Sequence, residues 1–271
     1  MHAIKMHGAG NSFVLTEDLH GELQGEDLSG LALRLCRLAD ADGLIVVVPA
    51  GDAADFGMLF YNSDGSLGEM CGNGARCIAR YGVEHGLAPD PERIRILATA
   101  GLVTARRIDA ERYEVRLNDP AVIDPHRAAE AQGAVWDCAY VELGEPGIPH
   151  AVVEVPESDF DELDALRERG RALRHSPVFP RGANVSFVCR TEAERVRAIT
   201  FERGVEDFTL ACGTGCGAIA VSLARRGRLP GDSLTIDMPG GELSVRFRRE
   251  GDRVSELLLT GPTAAVKEFD D

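Results

Sequence analysis

The chain has 271 residues, 44% hydrophobic and 27% charged, a balance typical of globular proteins and enough for one large domain or two ordinary ones. Lysine and arginine total 29 against 44 aspartate and glutamate, a net charge of −15. With no basic stripe to offset it, that charge excludes a nucleic-acid or anionic-membrane partner. No stretch approaches the roughly 18 apolar residues of a membrane span, and the start, Met1 to Gly8, lacks the apolar core of a secretion signal. The expected compartment is the cytosol.

In chain order, Leu28 to Leu38 is expected to be a helix with Ser29 as its N-cap. Leu44 to Val48 is a continuous apolar run, expected as a strand buried on both faces. Asn73 to Glu84 has helical apolar spacing and a stop signal at Gly86. Gly101 to Ala105 and Tyr113 to Leu117 read as strands, followed by a turn-rich segment at Asn118-Asp119-Pro120. Ala151 to Val155 is another strand, and Asp161 to Leu173 a helix whose acidic run, Asp159 to Glu168, is a solvated face. Ala183 to Val188 is a strand. Thr214 to Arg225 is a helix that stops at Gly227 and is apolar nearly all round, so it should lie inside a fold. Glu242 to Phe247 is a strand, and the tail from Glu268 to Asp271 is expected to fray.

A mostly β chain with one buried helix per half points to an α+β fold of two similar domains. Each would be a curved, mostly antiparallel sheet wrapped around a central helix. The expected division is 1–118 and 119–262, with a tail, 263–271, that could return to the first domain.

The seven cysteines (36, 71, 77, 138, 189, 212 and 216) are odd in number and scattered, a poor disulfide framework that fits a reducing compartment. Their spacings do not suit structural zinc. Cys36, Cys138 and Cys189 read as small buried hydrophobes, and Cys77 and Cys216 as core residues inside their helices. Cys71 and Cys212 differ. Met70-Cys71-Gly72-Asn73-Gly74-Ala75-Arg76-Cys77 and Ala211-Cys212-Gly213-Thr214-Gly215-Cys216 each place a cysteine at a Gly-rich turn that opens a helix. Unpaired amides and a partial positive charge at a helix start stabilise a thiolate and can hold a carboxylate. Two such units suggest two thiols acting on opposite sides of one anionic substrate, as inverting a stereocentre without a cofactor requires. Phosphate binding is disfavoured, because neither a Gly-x-x-x-x-Gly-Lys nor a Gly-x-Gly-x-x-Gly pattern occurs at these sites.

With Lys5-Met6-His7-Gly8-Ala9-Gly10-Asn11, Asn62-Ser63-Asp64-Gly65-Ser66, Gly147-Ile148-Pro149-His150, Asn184-Val185-Ser186-Phe187-Val188 and Glu202-Arg203-Gly204 in order around the two cysteine blocks, most of the chain resembles diaminopimelate epimerase. The resemblance implies a two-domain fold of this kind and an isomerase that interconverts LL- and meso-diaminopimelate in lysine and cell-wall precursor synthesis. It implies no pyridoxal phosphate and no metal. Cys71 and Cys212 would be the catalytic pair, with His150 and Glu202 helping to deprotonate them. Gly72, Asn73, Gly213 and Thr214 would line the reacting end of the substrate. Asn11, Asn62, Asn184 and Arg203 would read its far end, where Arg203 suits a bidentate grip on a carboxylate. A homodimer is the default expectation for an enzyme of this size.

Three features depart from the family pattern: the segment Cys36 to Leu44 is short, Ile148 stands where an asparagine is common, and Phe208 precedes Thr209 where an acidic residue is common. None touches the cysteines. The alternatives are a racemase of another amino acid on the same fold, a thiol–disulfide redox protein, and a non-catalytic amino-acid-binding protein.

Overall fold

The computed structural model describes residues 1–68 and 71–270; Met70 of the first cysteine block and Asp271 of the tail lie outside the described residues. The chain divides into two compact units, Met1–Arg116 with Thr260–Asp271, and Leu117–Leu259.

The first unit begins with β1 (His2–Gly8) and β2 (Asn11–Glu17), crosses through α1 (Leu28–Ala39) to β3 (Gly43–Val48), and returns along β4 (Phe56–Asn62). The short β5 (Leu67–Gly68) leads to α2 (Gly72–Glu84), and β6 (Ile94–Ala98), β7 (Gly101–Arg107) and β8 (Arg112–Arg116) follow. Pairing is antiparallel for β1–β2, β3–β4, β4–β5, β6–β7 and β7–β8. It is parallel for β2–β3 and β4–β6, the links that cross over through helices.

The second unit repeats this order. A long hairpin, β9 (Pro120–Ala131) and β10 (Ala134–Leu143), turns through Gln132 and Gly133, both at positive φ as a tight two-residue hairpin loop requires. Then come β11 (Ile148–Glu154), α3 (Leu163–Arg174), β12 (Asn184–Glu192), β13 (Arg195–Glu202), β14 (Asp207–Thr209), α4 (Gly213–Arg225), β15 (Ser233–Met238) and β16 (Gly241–Glu250). β10–β11, β12–β13, β13–β14 and β15–β16 pair antiparallel, and β11–β12 and β13–β15 parallel, in the same succession as before. β17 (Arg253–Pro262) carries the chain back to the first unit, which β18 (Ala264–Asp270) completes.

The alternation of strand side chains explains the two-sided burial. On β3, Leu44 and Val46 join Leu31, Ala32 and Leu35 of α1 in one core cluster. Ile45 points the other way, where its Cδ1 would lie 3.0 Å from a Cβ at Gly74 of α2. On β12, Val185 and Phe187 pack with Leu166 and Leu173 of α3. Ser186 bonds Thr200 (2.9 Å), whose Oγ1 is close to Gly215 of α4. A continuous apolar run is therefore the signature of a strand held between two helices. α2 packs on β1, β2, β3, β7 and β8, and α4 on β9 to β12, β15 and β16, so each is the central helix of its sheet.

Several expectations are corrected. α1 takes Asp27, not Ser29, as N-cap; the Ser29 hydroxyl donates instead to the Gly65 carbonyl (2.8 Å). α3 starts at Leu163, because Glu157–Asp161 forms a separate 3-10 turn. As far as Asp270 the tail does not fray: β18 pairs antiparallel with β1, with Phe269 opposite Ala3 and Asp270 opposite His2. An N-terminal strand needs a partner, and the chain's end supplies it.

Glycine in the central helices is a packing requirement. A Cβ at Gly82 of α2 would overlap the ring of Phe56, which is buried. Gly82→Ala gains up to about 1 kcal/mol of helix propensity, but overpacking costs about 1–3 kcal/mol. The variant is expected to unfold at lower urea concentration than the wild type; an unchanged or higher midpoint would show that the helix can shift away from β4.

Candidate active site

α2 and α4 begin in the same way. Cys71 and Cys212 are their N-cap residues, with extended backbones (φ −125°, ψ 119° and φ −120°, ψ 104°). Each carbonyl accepts the first helical bond, from Ala75 N–H (2.8 Å) and Cys216 N–H (2.9 Å). Serine or aspartate at this position would bond back to the second or third amide. Neither cysteine makes such a side-chain cap. Apart from the Gly215 amide, which acts on the Cys212 sulfur, the first-turn amides thus keep their capacity for an external anion such as a carboxylate.

In the first unit the structure brings Asn11, Cys71 and Asn73 together. Cys71 Sγ–H donates to Asn11 Oδ1 (3.6 Å), and Asn73 Nδ2 donates to the same oxygen (3.3 Å). Gly72 follows directly, its carbonyl accepting from Arg76 Nη1 (3.3 Å). Asn62 is separate: at the end of β4 it donates to Ser66 Oγ (2.9 Å). Sequence reasoning assigned no role to Asp42 or Arg76. Asp42 Oδ2 accepts from Asn11 Nδ2 (2.8 Å) and from Ser12 N–H (2.7 Å). Arg76 is buried and donates to Asn73 Oδ1 (3.0 Å). The available signal was an arginine inside an otherwise buried helix, which demands polar partners.

In the second unit Cys212 is buried, with Thr214 Oγ1 3.7 Å from its sulfur and Glu202 within hydrogen-bonding reach. Glu202 Oε1 also accepts from Thr209 Oγ1 (2.9 Å). Burial pushes the Cys212 thiol up, and the Glu202 carboxylate adds to the effect; the Gly215 amide and Thr214 oppose it. In the substrate-free site, burial and Glu202 prevail, which favours the neutral thiol at Cys212.

His150 on β11 is fully buried, beside Asn184 on β12 by parallel register. Asn184 Oδ1 accepts from Arg203 N–H (2.8 Å), and Arg203 Nη1 donates to the Arg181 carbonyl (3.1 Å). Neither ring nitrogen of His150 has a hydrogen-bond partner. Burial, with help from the Arg203 charge, lowers its pKa to about 3, so the ring is neutral and each nitrogen keeps its capacity to bond. Of the departures from the family pattern, Phe208 is a packing residue: it stands edge-on to Phe187 and Phe201 at centroid distances of 6.4 and 6.0 Å.

The comparisons show the family and the fold. A model of the diaminopimelate epimerase family matches residues 3–122 and 144–266. A diaminopimelate epimerase of Moorella thermoacetica is 35% identical, covering 98% of this chain and 97% of its own. Another, from Methanothrix thermoacetophila, is 35% identical over 97% of this chain and 93% of its own. Among solved structures, a phenazine biosynthesis protein of the PhzF family from Bacillus anthracis aligns with a TM-score of 0.76 at 15% identity, covering 99% of this chain and 98% of that one. A hydroxyproline epimerase from Agrobacterium vitis aligns at 0.68 and 21%, covering 99% and 91%. At these identities the structures show a shared fold.

A buried neutral histidine has a signature in pH. Unfolding returns His150 to an ordinary pKa near 6.5, so below that pH the unfolded state binds a proton that the folded state refuses. Its neutrality destabilises the fold progressively as pH falls from about 6.5 towards 3. Between pH 6.5 and 5 the wild type should lose about 1.6 kcal/mol more than His150→Asn, the slope approaching about 1.4 kcal/mol per pH unit at the lower end. Urea unfolding at the two pH values measures this, and parallel losses would show that the ring protonates in the folded protein.

Proposed function

The chain belongs to the diaminopimelate epimerase family, and we propose that it interconverts LL- and meso-diaminopimelate by a two-base mechanism in which Cys71 and Cys212 serve opposite faces of one α-carbon. The observation that carries this reading is the repeated unit, in which a cysteine without a side-chain cap opens a central helix in each half.

The α-proton of an amino acid is hard to remove because charge develops next to a carboxylate. Amides at Gly72 and Asn73 and at Gly213 and Thr214 hold that carboxylate and favour the developing charge. One sulfur, as thiolate, takes the proton; the other, as thiol, returns one to the opposite face. The two roles exchange with the hand of the substrate. Glu202 receives the proton of Cys212 before the reaction. His150, neutral with both nitrogens unpartnered, is the second acceptor. Asn11, Asn62, Asn184 and Arg203 read the distal amino-acid group. The reading needs no cofactor. It also takes the protein to be a cytosolic homodimer serving lysine and cell-wall precursor synthesis.

The test is incubation of the reduced protein with LL-diaminopimelate in deuterium oxide, beside single amino acids including histidine and lysine. Expected are α-deuterium incorporation and inversion for diaminopimelate, both abolished in Cys71→Ala and Cys212→Ala. Inversion of another amino acid alone would move the protein to a different substrate, and no exchange with any of them would return the cysteines to redox work. Glu202→Gln, which keeps the shape but cannot take a proton, should lower kcat by about 10²–10⁴-fold; an unchanged kcat would remove Glu202 from the mechanism.

A further inference from the structure

An asparagine amide has a donor end and an acceptor end, and its direction is settled where a neighbour can play only one part. The row Asp42, Asn11, Asn73, Arg76 is settled at both ends. The Asp42 carboxylate only accepts, so Asn11 must turn Nδ2 towards it (2.8 Å). The Arg76 guanidinium only donates, so Asn73 must turn Oδ1 towards it (3.0 Å). Between them, Asn73 Nδ2 and Asn11 Oδ1 meet at 3.3 Å, each in the sense the ends impose. The consequence falls on Cys71. Its sulfur lies 3.6 Å from Asn11 Oδ1, the negative end of a dipole that cannot turn round. Such an oxygen accepts from a thiol and repels a thiolate.

We propose that Asp42 is a positioning residue that acts on Cys71 through Asn11, holding the sulfur as a thiol, and so less reactive, until substrate takes over the site. The proposal rests on the reading of Cys71 as a catalytic thiol. Asp42 is suited to the task. The same carboxylate oxygen also accepts from Ser12 N–H (2.7 Å) and Ser12 Oγ (3.2 Å), tying it to the start of β2, where Asn11 stands. The effect opposes the pull of the α2 amides, which favour the thiolate.

Arg76 and Cys77 are the neighbouring ionisable groups on α2, and Arg80 and Glu84, further along, pair with each other (2.8 Å). On the strands packed against α2, most ionisable side chains are engaged elsewhere. His2 faces Asp270 and Lys5 donates to the Ala39 and Asp40 carbonyls, while Glu17 accepts from Tyr81. Arg106 pairs with Glu114, Arg107 donates to the Asp109 carbonyl and Arg112 pairs with Asp109. Arg116 ends β8, and β3 has no ionisable side chain. His7 also lies on β1, with its Nδ1 buried.

The experiment follows iodoacetamide alkylation of the substrate-free, reduced protein against pH, read at the Cys71 peptide by mass spectrometry, with the Cys212 peptide as internal reference. Asp42→Asn weakens the anchor and Asn11→Leu removes the oxygen. In both, the alkylation midpoint of Cys71 should fall by about half a pH unit or more, a roughly threefold faster reaction at neutral pH. Ser12→Ala, which keeps the contact between Asp42 and Asn11, should leave the midpoint in place. A midpoint that stays or rises in both variants overturns the proposal, as does a fall confined to Asn11→Leu. Should Asp42→Asn not fold, no fall in Asn11→Leu is enough to reject it. Looser packing would raise the rate at every pH without moving the midpoint, which separates a structural effect from the proposed one. Because no substrate is present, this assay and the epimerisation assay can fail independently.

Discussion

Everything in this protein that resembles chemistry depends on one constraint, that a helix start must satisfy its first amides from somewhere. A serine or aspartate N-cap would satisfy them internally and stabilise the helix by about 1 kcal/mol. α2 and α4 forgo that and place a cysteine there, so the amides remain for an anion and the sulfur stands beside whatever binds. Burial of the rest of each helix offsets the missing cap, since nearly every residue from Gly72 to Ala79 and from Gly215 to Ala224 is buried. The glycines and alanines that permit this are the ones that make the helices poor by propensity and good by packing.

The same local frame is given different electrostatics in the two units. Cys212 is buried beside a carboxylate that can take its proton. Cys71 is half-buried and faces an amide oxygen held by a carboxylate one residue removed. A two-base epimerase needs two thiols of similar competence, but nothing requires that they be tuned by the same groups. The repeated element order gives the two helix starts one geometry, and the side chains around each distinguish one thiol from the other. In the proposed mechanism function resides in those side chains, while the sheet and helix order is shared with other proteins of this fold.

Much of this was legible in the residues. The cysteine blocks, the helices they open, the stops at Gly86 and Gly227, and the apolar run of β3 follow from local rules: capping, glycine's tolerance of positive φ, and periodicity. These depend on neighbours within a turn or two along the chain. The role of Ser29 was misread for the converse reason. A hydroxyl near a helix start suits capping, yet a carbonyl distant in sequence, at Gly65, competes for it and wins.

What the amino-acid order determined by itself is the pair of cysteines, their helix starts and the α+β character of two similar halves, because backbone geometry and hydrophobic period act over a few residues. The tertiary structure alone decided which groups attend each sulfur. Asn11, held by Asp42, meets Cys71 from another strand, and Glu202 reaches Cys212 from the end of β13. It also decided that the final residues pair with the first strand, that Phe208 packs into the core, and that His150 is stripped of partners and kept neutral. Each of these is a contact, or a loss of water, between residues remote in sequence, and desolvation and pairing of that kind are properties of the folded arrangement.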